Sequence, residues 1–149
     1  MPLSWNEIKS RAIAFQKEWE GESSEKAESQ SFWNEFFNVF GISRRRVASF
    51  EQPIKKADNK QGFIDLLWKG TILIEHKSRG KSLEKATQQA KDYFLNLKEY
   101  DEPRYILVSD FQRFKLYDLD SGNESEFELS DFVQNVHLFD FIAGYEKRV

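Results

Sequence analysis

A β-hairpin near the middle of the chain is the feature that most constrains the fold. Residues 62–68 and 71–77 are both rich in β-branched and large apolar residues, and only Lys69-Gly70 separates them. A two-residue connection that ends in glycine between two such runs is typical of a tight hairpin. Because each strand contains a run of consecutive apolar residues, the hairpin is predicted to be buried on both faces.

Apolar periodicity on either side of the hairpin predicts an α/β sheet flanked by helices. Two N-terminal helices are expected, at residues 4–20 and about 30–40. A third helix is expected at residues 82–98. Further strands are expected at 46–50, 104–109 and 113–119. This order predicts a mixed central sheet with a crossover helix between its third and fourth strands.

The length of 149 residues fits one domain. We expect residues 1–30 to form the first helix and a loop, 31–120 the core, and 121–149 a closing segment or a linker to absent domains. The absence of cysteine excludes disulfides, zinc–thiolate sites and thiol nucleophiles, and suits a cytoplasmic protein. Neither a signal peptide nor an apolar run of about 18 residues is present, so no membrane association is expected.

The net charge of −3 is unevenly distributed along the chain. Among the charged residues of 41–60, basic residues outnumber acidic ones. Residues 120–131 include acidic but no basic residues. One edge of the protein could therefore meet a polyanion, although a solvated charged surface explains the same pattern.

Two carboxylates and a lysine interrupt the apolar hairpin. Asp65 lies within the first strand, and Glu75 and Lys77 follow the apolar run of the second. Because side chains alternate along a strand, Glu75 and Lys77 share one face, and Ile74 and His76 share the other. Carboxylates in a buried strand are costly unless they are paired, protonated or bound to a metal.

Hydrolysis of a phosphodiester accounts for this trio. Mg²⁺ prefers oxygen ligands, which Asp65, Glu75 and the backbone carbonyl of His76 would supply, and Mn²⁺ is expected to substitute. The Lys77 ammonium would hold the attacking water and stabilise the transition state. A cross-strand ion pair on an exposed edge hairpin is the structural alternative.

This pattern resembles the PD-(D/E)xK nuclease superfamily, whose core is a hairpin with Asp and then Glu-x-Lys, followed by a helix and a strand. Ile64 stands where the motif name has proline. The next helix carries Gln89 and Tyr93, a Gln-x-x-x-Tyr element similar to that of RecB-like nucleases. The resemblance implies that this Gln and Tyr lie beside the active site and orient substrate or catalytic groups.

Longer phrases are similar to the N-terminal endonuclease domain of MmeI-like type IIL restriction–modification enzymes. These phrases are residues 62–70, 74–78 and 103–111, within a resemblance that covers about 32–120. The resemblance implies a bacterial or archaeal cytoplasmic enzyme that acts on double-stranded DNA, with methyltransferase and target-recognition domains in the full-length protein. Dimerisation is one way in which such a domain would cut both strands.

Other residues have two interpretations each. The resemblance implies that an acid on the helix before the hairpin, here Glu35, can join the metal site, whereas a surface glutamate is the alternative. Residues proposed to contact DNA, each of which a solvated surface also explains, are Arg44, Arg45, Arg46, Ser78, Arg79 and Lys81.

Replacing Asp65 with alanine would abolish cleavage and relieve an uncompensated buried charge.

Two further functions are compatible with these residues. A repair or recombination nuclease of the RecB kind would carry the same trio. A catalytically silent PD-(D/E)xK module for DNA binding or assembly is the alternative outside enzymes. The presence of Asp65, Glu75 and Lys77 together argues against a silent module.

Overall fold

A six-stranded mixed sheet forms the centre of the protein in the computed structural model, which describes residues 3–22 and 25–144, without the side chains of 25–27. The strands are β1 (Ser49–Lys55), β2 (Gln61–Trp68), β3 (Ile72–His76), β4 (Tyr105–Ser109), β5 (Arg113–Asp118) and β6 (Glu124–Glu128). Each strand pairs with the next along the chain, and all pairs are antiparallel except β3–β4. Helix α4 (Leu83–Leu95) connects these two parallel strands. The predicted hairpin and crossover helix are therefore confirmed.

The predicted N-terminal helical pair is also confirmed, as α1 (Trp5–Glu18) and α2 (Glu25–Val39). Ser4 caps α1, because its hydroxyl accepts a 3.2 Å hydrogen bond from the backbone N–H of Glu7. The chain leaves α2 through Gly41, whose φ of 76° a side chain would disfavour.

Apolar side chains fill the space on both faces of the sheet. In β3, all five residues are buried. Ile72 and Ile74 pack with α1 and α2 in the larger core, and Leu73 packs with α4 in the smaller core. Helices therefore cover β3 from both sides, as its continuous apolar run predicts.

The strand predicted at 46–50 is wrong in its first half. Arg44–Val47 form a short helix, α3, and β1 begins at Ser49. The guanidinium of Arg44 closes this turn by donating to the backbone carbonyl of Ala48 at 2.8 Å. The strand prediction rested on local β-propensity, which takes no account of this contact.

The acidic stretch 120–131 contains a strand that the sequence analysis missed, β6. It pairs with the basic residues of β5, with Arg113 opposite Glu128 and Lys115 opposite Glu126. Opposite charges at facing positions stabilise a strand pair, so the acidic composition fits the neighbour that only the fold provides.

The described part of the C-terminal segment packs onto the larger core. Short helical turns follow β6, including α5 (Phe132–Asn135), and bury Phe132, Phe139 and Ile142. Phe141 stacks on Tyr105 with 3.8 Å between ring centroids. Residues 145–149 of the segment predicted at 121–149 lie outside the described residues. No helix in the described ranges has the length and apolarity to cross a bilayer.

Candidate active site

The pairing between β2 and β3 ends at the two predicted carboxylates. After the pair Leu66–Ile74, the backbone N–H of Asp65 donates to Glu75 Oε2 at 2.7 Å. The backbone N–H of His76 donates to Asp65 Oδ2, also at 2.7 Å. Each strand's amide thus binds a carboxylate of the other strand, which brings Asp65 and Glu75 together as the sequence predicts.

These carboxylates are not on an exposed edge. Glu75 is 1% exposed and Asp65 is half-buried. A buried carboxylate needs compensation, and hydrogen bonds from backbone N–H groups favour its charged form. The burial of Glu75 contradicts the alternative of an exposed cross-strand ion pair.

Lys77, Gln89 and Tyr93 form a hydrogen-bonded chain on the α4 side of the sheet. Lys77 Nζ donates to Gln89 Oε1 at 2.8 Å, and Gln89 Nε2 donates to the Tyr93 hydroxyl at 2.8 Å. The spacing of four residues places Gln89 and Tyr93 on one face of α4. Tyr93 packs so closely on Gly62 that a Cβ there would lie 2.9 Å from its ring. The predicted Gln-x-x-x-Tyr element therefore contacts the predicted lysine.

His76 points to the opposite face, as alternation predicts. Its Nδ1 accepts a 3.0 Å hydrogen bond from Trp33 Nε1, so the neutral ring carries its proton on Nε2. Within the described residues, the buried Nε2 has no hydrogen-bond partner. Phe111 packs against the ring at 4.3 Å, and burial lowers the pKa of His76 to about 3. The imidazole is therefore neutral at neutral pH.

A cavity of about 220 Å³ adjoins Asp65 on the α2 side. It is lined by Ser29, Gln30, Trp33, Phe50, Glu51, Asp65 and His76. Ser29 and Gln30 were not predicted from the sequence, because no local pattern shows which residues of α2 face this end of the sheet.

Glu51 is a third carboxylate near this position that the sequence analysis also missed. The pairs on either side, Phe50–Leu66 and Gln52–Ile64, place it opposite Asp65. Its φ of 49° lies in the left-handed region, which costs a residue with a side chain on the order of 1 kcal/mol or more. Backbone strain of this kind is concentrated at functional sites, so Glu51 extends the candidate site.

The donor set fits a hard divalent cation. In the ranges that the structure describes, no three His, Asp or Glu side chains are grouped to hold a metal ion. Mg²⁺, however, takes one or two protein carboxylates and fills its remaining positions with water and phosphate. The adjacent carboxylates of Asp65 and Glu75 match this requirement, and the predicted third ligand is the carbonyl of His76.

Glu35 does not join the hairpin, so of its two interpretations the structure favours a glutamate away from the metal site. It lies beside Glu18 of α1, because the aromatic face of α2 points to the sheet and Glu35 lies off that face. Burial raises the pKa of Glu35 to about 7, with a further contribution from hydrogen bonding and repulsion by Glu18.

The loop after β3 carries the predicted DNA contacts Ser78, Arg79 and Lys81. Arg79 and Lys81 are exposed, and Ser78 is half-buried. Asp110, which is 1% exposed, anchors this loop by accepting from Arg113 at 2.9 Å and from the Gly80 N–H at 3.4 Å. Arg113 also donates to the carbonyl of Lys81 at 2.8 Å. This ion pair between Asp110 and Arg113 was not predicted from the sequence.

The three arginines of 44–46 do not act alike. Arg44 donates to Asn34 Oδ1 at 2.8 Å, and its guanidinium lies 4.1 Å from the centroid of the Phe50 ring. Arg45 and Arg46 are exposed. Arg44 therefore connects α2, α3 and β1, and only the other two present their side chains fully to solvent.

The sequence matches a known family over most of its length. Residues 10–149 correspond to the family described as MmeI, N-terminal domain. The chain belongs to this family. No curated protein sequence matches the chain.

This chain is also similar in fold to a solved structure. The fold is similar to a chain in a DrdV–DNA complex solved by cryo-electron microscopy, with a TM-score of 0.57 and 14% identity. The match covers 96% of this chain but only 14% of the DrdV chain. This likeness supports the predicted fold class, a mixed central sheet flanked by helices with an N-terminal helical pair.

Proposed function

We propose that this MmeI-type N-terminal domain is a magnesium-dependent DNA endonuclease, the cleavage domain of a restriction–modification enzyme. The observation that carries this proposal is the interlocking of Asp65 and Glu75 at the end of the β2–β3 ladder, with Lys77 held by Gln89 on the Glu75 face. The methyltransferase and target-recognition domains would belong to the rest of the polypeptide, and double-stranded DNA would be the substrate.

Each side chain has a separate task in this mechanism. Asp65, Glu75 and the carbonyl of His76 would bind Mg²⁺, which lowers the pKa of a bound water and neutralises charge on the phosphate. Lys77 would donate a hydrogen bond to the attacking water and to the phosphate oxygen on which negative charge develops, while the water gives its proton to solvent and the bond from phosphorus to the leaving sugar oxygen breaks. Gln89 limits the motion of the ammonium, and Tyr93 fixes Gln89. The chain thus positions oxygen ligands and a charged hydrogen-bond donor before the substrate arrives.

Cleavage of supercoiled and linear plasmid DNA by purified protein tests the proposal. We expect nicking or cutting in Mg²⁺ or Mn²⁺ and binding without cleavage in Ca²⁺. Lys77→Ala should lower the cleavage rate by at least about a hundredfold, as expected for loss of one positioned electrostatic group, with melting temperature and DNA affinity unchanged. Lys85→Ala, which removes an exposed lysine of α4, serves as the matched control.

Two outcomes would contradict the proposal. Cleavage by Lys77→Ala at the wild-type rate would return the trio to a structural role. Metal-independent DNA binding without cleavage under any divalent cation would favour the silent DNA-binding module. Methylation by the complete protein, if retained in Lys77→Ala, would distinguish a restriction enzyme from a RecB-like nuclease.

A further inference from the structure

Strands β1 and β2 remain paired beyond the end of the β2–β3 ladder. The last β2–β3 backbone pair is Leu66–Ile74, whereas the β1–β2 register continues through Gln52–Ile64 to Lys55–Gln61. At about 3.3 Å per residue, this continuation is roughly 10 Å long before the turn. Residues 52–64, called the ribbon below, therefore leave the sheet directly beside Asp65.

One face of the ribbon is anchored on the domain. Ile64 is fully buried in the smaller core, and Ile54 packs against the same core. Gly62 lies against the Tyr93 ring, which itself binds Gln89. The ribbon is thus held in a defined orientation by the same helix that holds Lys77.

The other face of the ribbon exposes an aromatic side chain to solvent. Phe63 and Pro53 are cross-strand partners, and cross-strand partners point to the same face. Phe63 is 52% exposed, although it lies in a strand two residues from Asp65. An exposed aromatic residue at this position is not explained by packing within the domain.

The turn of the ribbon is ordered and basic. Lys56 N–H donates to the Lys60 carbonyl at 2.8 Å, and Asp58 Oδ1 accepts from Lys60 N–H at 2.9 Å. Asp58, the one acid of the ribbon, is thus used within the turn, whereas the side chains of Lys55 and Lys60 are exposed. The ribbon therefore carries exposed ammonium groups as well as an exposed phenyl ring.

We propose that the ribbon is a DNA-contacting arm, in which Lys55 and Lys60 bind backbone phosphates and Phe63 packs in the groove of the duplex that reaches Asp65. The occupant is duplex DNA because the ribbon is cationic, and a two-stranded ribbon fits a major groove about 12 Å wide. The inference rests on the proposed function, since it assigns how that substrate is held.

Binding of a fluorescently labelled duplex over a salt series in Ca²⁺ buffer tests the ribbon. Lys55→Gln/Lys60→Gln should make the negative slope of log affinity against log salt shallower by about 2, since each phosphate contact contributes roughly −0.9. Lys9→Gln/Lys17→Gln removes two exposed lysines of α1 and should leave the slope unchanged. Melting temperatures should match the wild type, because all four side chains are exposed.

Phe63→Ala tests the apolar contact separately. It should weaken DNA binding about tenfold, as expected when the apolar area of one phenyl ring is no longer buried at the interface. Ile13→Ala, which shortens a side chain that is 57% exposed on α1, should leave the affinity unchanged. A photo-crosslinking residue at position 63, but not at position 13, should form an adduct with the duplex.

The outcomes separate the ribbon from the proposed function. If the wild type cuts DNA while the ribbon variants bind with unchanged slope and affinity, the ribbon proposal fails and the nuclease stands. If the wild type neither binds nor cuts DNA, both fail. If Phe63→Ala lowers self-association in sedimentation velocity and leaves DNA affinity unchanged, the ribbon is a contact between copies of the chain.

Discussion

The indole N–H of Trp33 donates a 3.0 Å hydrogen bond to Nδ1 of His76, across the interface between α2 and the end of β3. The backbone N–H of the same histidine donates to Asp65. The side chain of His76 is thus fixed by the N-terminal helices, while its backbone lies at the proposed metal site. His76 therefore links α2 to the end of β3.

Trp33→Phe is expected to destabilise the protein. It leaves the buried Nδ1 of His76 without its donor, which costs about 1–3 kcal/mol of unfolding free energy. Urea unfolding at neutral pH measures the change. Trp68→Phe is the matched control, since it alters a half-buried tryptophan that packs on Phe37. Equal losses in the two variants would show that the hydrogen bond does not contribute.

Asp65→Ala and Asp65→Asn should both abolish cleavage, but they should differ in the free energy of unfolding. From the sequence, Asp65 was expected to be an uncompensated charge. In the structure, its carboxylate accepts a hydrogen bond from the backbone N–H of His76. Alanine leaves that amide without its acceptor and should cost about 1–3 kcal/mol, while asparagine retains an acceptor oxygen. Thermal melting and Mg²⁺-dependent cleavage measure both effects. A more stable Asp65→Ala would restore the original expectation.

Arg44→Ala should act on folding, and Arg45→Ala/Arg46→Ala on DNA binding. Arg44 loses its contacts with Asn34, Ala48 and Phe50, so we expect a loss of about 1–3 kcal/mol in unfolding free energy. The exposed pair should leave stability unchanged and flatten the salt dependence of DNA binding if it contacts phosphate. Urea unfolding and binding at several salt concentrations separate these effects. A wild-type salt slope for the double variant would assign both arginines to the solvated surface.

Glu35 predicts a pH dependence of stability that is separate from the active site. Its pKa is raised from 4.5 to about 7, so the folded state binds the proton more tightly than the unfolded state. Its contribution to stability is complete below pH 4.5 and is lost as the pH rises through about 7.

Glu35→Gln should therefore be more stable than the wild type at about pH 8 and differ little from it at about pH 4. Urea midpoints across this range measure the difference, with the exposed Glu20→Gln as the control. A constant difference at all pH values would show that Glu35 does not titrate as proposed. Cleavage should be unchanged in both variants, because Glu35 lies away from the hairpin.

The central part of the fold could be predicted from local sequence. The hairpin follows from two apolar runs and Lys69-Gly70, and the common face of Glu75 and Lys77 follows from alternation along one strand. Gln89 and Tyr93 share a helix face because they are four residues apart. In each case the relevant distance lies within one element or one tight turn, so the chain geometry determines it.

The remaining features depend on which faces meet after folding. Glu35 is directed to α1 by the packing of α2, and the same register brings Trp33 to His76. The acidic strand β6 exists because β5 lies beside it, and Arg44 closes a helical turn through contacts with Asn34 and Phe50. By itself, the sequence determined the hairpin and the spacing of its chemical groups, through local backbone geometry. Only the tertiary structure decided which helix residues reach those groups, because helix orientation results from burial summed over the whole core.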